Sequence, residues 1–159
     1  MEGCDLMRKY FLYLLIYSIG GFILERFLNL IFLGYYYDNS VLFGPWQPLY
    51  GFGILMAIII YDLFLSKLNH PVLKYVLLLI VSIITTGISE AVTGFGYLYL
   101  YGQSLWDYSQ FFPCQIGFVC SIPTSMFGFF SFLVIVFIHP VMLKSSIPGF
   151  RVAEFGAEI

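Results

Sequence analysis

Four stretches of this sequence are long and apolar enough to cross a bilayer as helices: about Tyr10 to Leu33, Leu49 to Leu65, Val72 to Leu98 and Gly117 to Ile138. A hydrocarbon core of about 30 Å needs about 20 apolar residues in helical form. Inside lipid, only helices and closed barrels satisfy every backbone N–H and C=O. The runs are far too long for barrel strands, so the fold class is all-α. Composition agrees: 60% of the 159 residues are hydrophobic and 10% are charged, against about 25% charged in a soluble domain. Between the runs, residues 34–48, 67–71 and 102–113 carry the glycines and prolines of turns. Arg8 and Lys9 precede the first run and no small-residue cleavage site follows it, so it is read as a retained span.

Orientation follows from lysine and arginine in short connections. Arg8 and Lys9 precede the first helix, Lys67 and Lys74 flank the second connection, and Lys144 and Arg151 follow the fourth helix. The connections 34–48 and 101–116 contain neither residue type; they carry Asp38, Asp107 and many aromatics. Both termini and the 67–71 turn are therefore expected in the cytoplasm, and the two aromatic loops outside. Tyr35, Tyr36, Tyr37, Trp46, Trp106 and Tyr108 suit an interfacial belt. This describes a multi-pass membrane protein, with a membrane domain over 1–144 and a short cytoplasmic tail over 145–159.

The domain repeats a two-helix unit, about 9–73 and 74–144. Lys9 precedes Glu25 by sixteen residues, and Lys74 precedes Glu90 by sixteen. At about 1.5 Å per residue each carboxyl group lies about 24 Å above its lysine. Each unit continues with Pro-x-Gln (Pro45-Trp46-Gln47 and Pro113-Cys114-Gln115), then His-Pro-Val (His70-Pro71-Val72 and His139-Pro140-Val141). Units of two crossings share orientation, so the pseudo-twofold axis would run along the membrane normal.

Ionisable groups inside a span cost about 2.5–3.5 kcal/mol on insertion scales and mark function by default. Gly21, Glu25 and Asn29 share one face of the first helix; Ser82, Thr86, Glu90 and Gly94 share one face of the third. Small and polar stripes of this kind support close helix contact, so the first and third helices are expected to meet along them. Two carboxylates brought together cannot both ionise cheaply in low dielectric. Arg26 has Ala91 as its counterpart, which breaks the symmetry, and it lies about 100° round the helix from Glu25. Glu25, Arg26, Glu90, Asn29 and Thr86 form the candidate ligand site, joined from the outer loop by Trp106 and Asp107. The plain alternative is a structural ion pair, with Trp106 and Asp107 shaping a turn.

Other features take structural readings. Asp62 reaches the interface or pairs with Lys67. His70 and His139 mark helix ends ahead of proline. Pro123 would kink the fourth span, with Thr124 and Ser125 re-satisfying the freed backbone. Cys4, Cys114 and Cys120 have no metal-ligand spacing and read as small apolar residues, with a Cys114–Cys120 disulfide as the alternative. No metal, cofactor or catalytic residue is expected. The net charge of −2 and the lack of a basic stripe point away from nucleic acid.

Several motifs in order resemble the bacterial type IV ABC-transporter membrane proteins, the CmpB-like permease family. They are Gly21-Phe22-Ile23-Leu24-Glu25; the run Leu42 to Gly53, with Gly44-Pro45-Trp46-Gln47-Pro48-Leu49-Tyr50-Gly51; Glu90; Trp106-Asp107-Tyr108-Ser109; Gly117 with Cys120; and Ile138-His139-Pro140. Phe118 stands where the family tends to carry a basic residue, and Gln115 where asparagine is usual. The resemblance implies a small permease-like transport component of the bacterial cytoplasmic membrane. The sequence has no G-x-x-x-x-G-K-[ST] loop, so ATP-driven transport would need a separate ATPase. Four helices make a small pore, so a homo-oligomer or other membrane subunits are expected as partners in the bilayer. The alternatives are a non-catalytic scaffolding or accessory subunit, or a membrane enzyme on lipid headgroups with Glu25 or Glu90 as acid or base.

Overall fold

A computed structural model describes residues 2–34, 44–108 and 114–144. Tyr35, Tyr36, Tyr37, Asp38, Ser109, Pro113 and the 145–159 tail lie outside the described residues. The long helices are α1 (Glu2–Leu33), α2 (Pro48–Ile60), α3 (Pro71–Tyr101) and α4 (Ser121–Leu133), and four helical segments are long and apolar enough to cross a membrane. Pro48 and Pro71 open α2 and α3, where a missing N–H is no loss. Gly34 and Gly102, each with φ of 72°, follow α1 and α3, and the N–H of Gly102 caps Leu98 C=O at 2.9 Å.

Two helices widen before they end. α2 runs on through a π-helical turn, Tyr61–Leu65. α4 runs through another, Val134–Ile138, into α5 (His139–Lys144). Proline lacks an N–H and presses its ring on the carbonyl four residues back. Just ahead of Pro140, the N–H of His139 instead reaches back five residues to Val134 C=O. The helix therefore passes through Pro140, and His139 lies inside it rather than marking its end. His70 does stand at a helix start, as the residue capping α3.

The fourth span begins later than its hydropathy suggests. Cys114–Ile116 (β1) and Val119–Cys120 (β2) form a small antiparallel hairpin with Cys114 opposite Cys120, and α4 starts at Ser121. Pro123 thus falls in the first helical turn and interrupts no helical hydrogen bond, so the expected kink has no cause. Cys120 is disulfide-bonded, which displaces the reading of it as an ordinary apolar residue.

Successive helices pack antiparallel, and α2 sits in the middle, touching α1, α3 and α4. Gly51 of α2 lies against Ser18 and Leu14 of α1, while Gly53 faces Thr86 and Ser89 of α3. Two residues apart on a helix means nearly opposite faces, so these glycines let α2 approach both neighbours. The wedge corrects the expected meeting of α1 and α3, which share no packed interface. α3 and α4 meet at Gly128, where an added Cβ would lie 2.5 Å from Ile83 Cα. Tyr13, Tyr17, Ile54, Ala57, Ile58, Leu65, Leu78 and Ile135 form the apolar core near the 66–70 turn. Nearer the hairpin, the buried set is polar: Ser82, Thr86, Ser89, Glu90 and Thr124.

These contacts separate two kinds of glycine. Gly128→Ala should cost about 1–3 kcal/mol through overpacking against backbone. Gly96→Ala, with nothing within 4 Å of its Cβ, should be neutral or slightly stabilising. Thermal unfolding in detergent measures both, and equal shifts would contradict the packing described.

Candidate functional site

Glu25 and Glu90 each project from a long helix toward the first turn of the short helix that follows. Gly21 of α1 lies directly against the Tyr50 side chain, and the Tyr50 hydroxyl donates to the Glu25 carboxyl group. On the other side, Thr124 Oγ1 donates to Glu90 Oε2 at 2.5 Å, and Gly87 gives Thr124 room. Tyr50 is the third residue of α2 and Thr124 the fourth of α4. Unpaired N–H groups and the helix dipole at such a start favour a carboxyl group. Glu90 is 2% exposed, and a buried carboxyl group is tolerable only when hydrogen-bonded.

The long helices overshoot these points. From Glu25 to the end of α1 is 8 residues, and from Glu90 to the end of α3 is 11, or about 12 and 17 Å of helix. The described residues just before α2 and α4 lie beside them. Gln47 N–H donates to Ser18 C=O of α1 at 3.0 Å. Phe118, at the hairpin turn, is buried on Gly94 and meets Phe95 edge-on with ring centres 4.7 Å apart. Phe118 thus fills a notch on α3 that only a glycine leaves open.

Tyr108 ties the two halves together. Its N–H donates to Gly117 C=O. Burial pushes its phenol above the usual tyrosine range, and the carboxyl groups of Glu90 and then Glu25 push it further. Tyr50 likewise feels Glu25, Tyr108 and Glu90. The two glutamates therefore share one electrostatic neighbourhood, reached across Tyr50 and Tyr108 rather than by contact of α1 with α3.

The remaining candidates divide. Arg26 is half-buried, with its guanidinium over the Phe22 ring at 4.6 Å, one turn back on the same helix. Thr86 Oγ1 donates to Ser82 C=O at 2.8 Å and packs by Gly53. Trp106 donates its indole N–H to Phe118 C=O at 2.9 Å, and the exposed Asp107 lies beside Gly117; both bear on the hairpin. Asn29 is half-buried, one turn above Glu25. Sequence reasoning passed over Tyr50 and Thr124 as partners for the carboxyl groups. Their position in the first turn of a helix following a glutamate helix, in both halves, was the available signal.

A second polar cluster lies near the 66–70 turn. His139 is 8% exposed; its Nδ1 meets the Tyr17 hydroxyl at 2.5 Å, and its ring stands edge-on to Tyr13 at 5.0 Å. Lys9 lies over the rings of Tyr10 and Tyr13 at 5.8 and 5.6 Å. Asp62, in the π-helical turn, is exposed and within electrostatic reach of Lys9 on α1. Among the described residues no three His, Cys, Asp or Glu gather as a metal site would require.

This arrangement can be set beside known proteins. The family described as "Putative ABC-transporter type IV" matches residues 12–154. The chain belongs to that family. No curated protein and no solved structure matches the chain. Membership in this family and four membrane-length helices support a multi-pass membrane subunit.

A double-mutant cycle of Glu90→Ala and Thr124→Val tests the bond inside α3 and α4. Interhelical bonds of this kind couple by about 0.6–1.7 kcal/mol. Unfolding free energies that simply add would mean the two side chains act independently.

Proposed function

We propose that the chain is a permease-like subunit whose working site is the pair Glu25 and Glu90, with Tyr50, Tyr108 and Thr124 as hydroxyl partners. The observation that carries this reading is the matched placement: each carboxyl group sits at the start of the next helix, bonded by a hydroxyl from that helix's first turn. Purely apolar packing would need neither group, and each costs insertion energy. Arg26, Asn29, Thr86, Trp106 and Asp107 form the surroundings: Arg26 offsets part of the negative charge from α1, and Trp106 and Asp107 hold the hairpin above Glu90. The two matched placements also support a repeat of the two-helix unit.

In this reading the hairpin end faces outside and the termini face the cytoplasm. Lysine and arginine placement supports that orientation, and so does the disulfide at Cys120, since disulfides persist in oxidising compartments. Energy comes from a separate ATPase, and the subunit works as an oligomer or with other membrane subunits. Scaffolding is the second reading, favoured by the completeness of Glu90's burial.

Purification in mild detergent tests the assembly. The expected result is a complex larger than one chain, with vanadate-sensitive ATP hydrolysis; a strictly monomeric species with none overturns the transport reading. Glu25→Gln with Glu90→Gln should lower that hydrolysis several-fold while leaving the complex intact. Unchanged hydrolysis would favour scaffolding. For orientation, Ser104→Cys and Asn69→Cys, both exposed positions, can be probed with an impermeant maleimide on whole cells. Labelling is expected at 104 only, and labelling at 69 would reverse the topology.

A further inference from the structure

Three helices converge on Glu90. Thr86, Ser89 and Glu90 lie on α3, Thr124 comes from the first turn of α4, and Gly53 of α2 faces Thr86 and Ser89. All four polar side chains are buried. Residues three and four apart on a helix are neighbours, so Thr86 stands beside both Ser89 and Glu90. Glycines make the room: Gly53 across from α3, and Gly87 opposite Thr124.

Two needs stay open at this junction. The Glu90 carboxyl group has the Thr124 hydroxyl as its bonded partner and no basic side chain beside it among the described residues. A charge held inside a protein must be paired or bound to a metal ion. The second need is that of Ser89, whose Oγ is buried without a hydrogen-bond partner. It points at the space left by Gly53, where a Cβ would lie 3.5 Å from Ser89 Oγ and 3.8 Å from Thr86 Oγ1. Neighbouring oxygens have lone pairs to give. Thr86 spends its proton on Ser82 C=O and Thr124 spends its proton on Glu90, so each keeps acceptor capacity for a cation. A proton on Glu90 would settle the charge and leave Ser89 unmet; a water at Gly53 would settle Ser89 and leave the charge. A metal ion meets both needs. Carboxylate and hydroxyl oxygens are hard ligands, suited to hard cations. One carboxyl group balances a single positive charge, and a space the size of a methyl group admits a small ion and no organic cation.

We propose that Thr86, Ser89, Glu90 and Thr124 form a site for one small monovalent cation, of sodium's size, at the junction of α2, α3 and α4. This deepens the Glu90 half of the working site by naming what it holds, and it rests on the transport reading for its physiological meaning only.

The test uses the full chain in phosphatidylcholine nanodiscs and radiolabelled sodium chloride at constant ionic strength, scored as saturable binding above empty discs. About one ion per chain is expected. Potassium should compete at least tenfold more weakly than unlabelled sodium, and choline not at all. Glu90→Gln should abolish saturable binding. Ser89→Ala should weaken it at least tenfold, and so should Gly53→Ala, whose methyl group occupies the space without a clash. Ser82→Ala removes another buried hydroxyl that has no hydrogen-bond partner, seven residues and about 10 Å along α3 from Ser89, and should leave binding intact. Thermal unfolding in the same discs verifies folding. If Glu90→Gln fails to fold, Ser89→Ala and Gly53→Ala, which remove no buried carboxyl group, decide in its place, together with the ion selectivity of the unmodified protein. No saturable binding, equal competition by potassium or choline, or full binding by folded Glu90→Gln or Gly53→Ala overturns the proposal. Sodium binding without any associated ATPase would discard the transport reading alone, and an associated ATPase without sodium binding would discard the ion site alone.

Discussion

A carboxyl group buried among apolar helices must find donors, and in this chain that requirement shapes the half of the bundle near the hairpin. Neither glutamate can draw on its own helix, whose backbone N–H groups are already spent on the helical ladder. Donors come instead from the following helix, in its first turn, where N–H groups are still unclaimed and a hydroxyl is at hand. Meeting that need fixes how far down α1 and α3 the short helices begin. Gln47 N–H on Ser18 and Phe118 in the Gly94 notch hold the two helix starts beside the long helices.

The middle helix sets the lateral arrangement. With Gly51 and Gly53 on opposing faces, α2 approaches α1 and α3 closely and keeps them apart. Tyr50 on α2 and Tyr108 ahead of the hairpin each lie within electrostatic reach of both glutamates. Tyr50 and Tyr108 are polarisable, directional groups, well placed to feel a change at either carboxyl group. Near the 66–70 turn the logic is the usual one of apolar packing, with the Tyr17–His139 bond as its polar exception.

Much of the architecture was legible in the sequence because hydrophobic length is a strong signal and proline and glycine punctuate it well. Pro48, Pro71, Gly34 and Gly102 all fall at helix ends. The errors came from local competition that hydropathy does not see. The segment Gly117 to Cys120 is apolar enough to read as helix, yet pairing across the hairpin claims its backbone. Pro140 looked like a stop, and a π-helical turn carries the chain through it. The stripes on α1 and α3 are contact faces, but not for each other: Gly21 meets Tyr50 of α2, while the α3 stripe is shared, with Thr86 against Gly53 of α2, Glu90 bonded to Thr124 of α4 and Gly94 under Phe118. Spacing along one helix tells which residues share a face and is silent on which neighbour covers it. Glu25 and Glu90 were therefore visible as candidates, while Tyr50 and Thr124 needed three-dimensional placement.

The π-helical turns give the chain a rotational setting. An α-helix advances about 100° per residue, and a π turn lodges one additional residue without adding a full step of the spiral. Everything beyond Val134–Ile138 is thereby turned relative to where a continuous α-helix would put it. His139, which follows that surplus residue, meets Tyr17. Each turn thereby sets the direction in which the residues after it leave the helix, independently of the packing of the bundle above it.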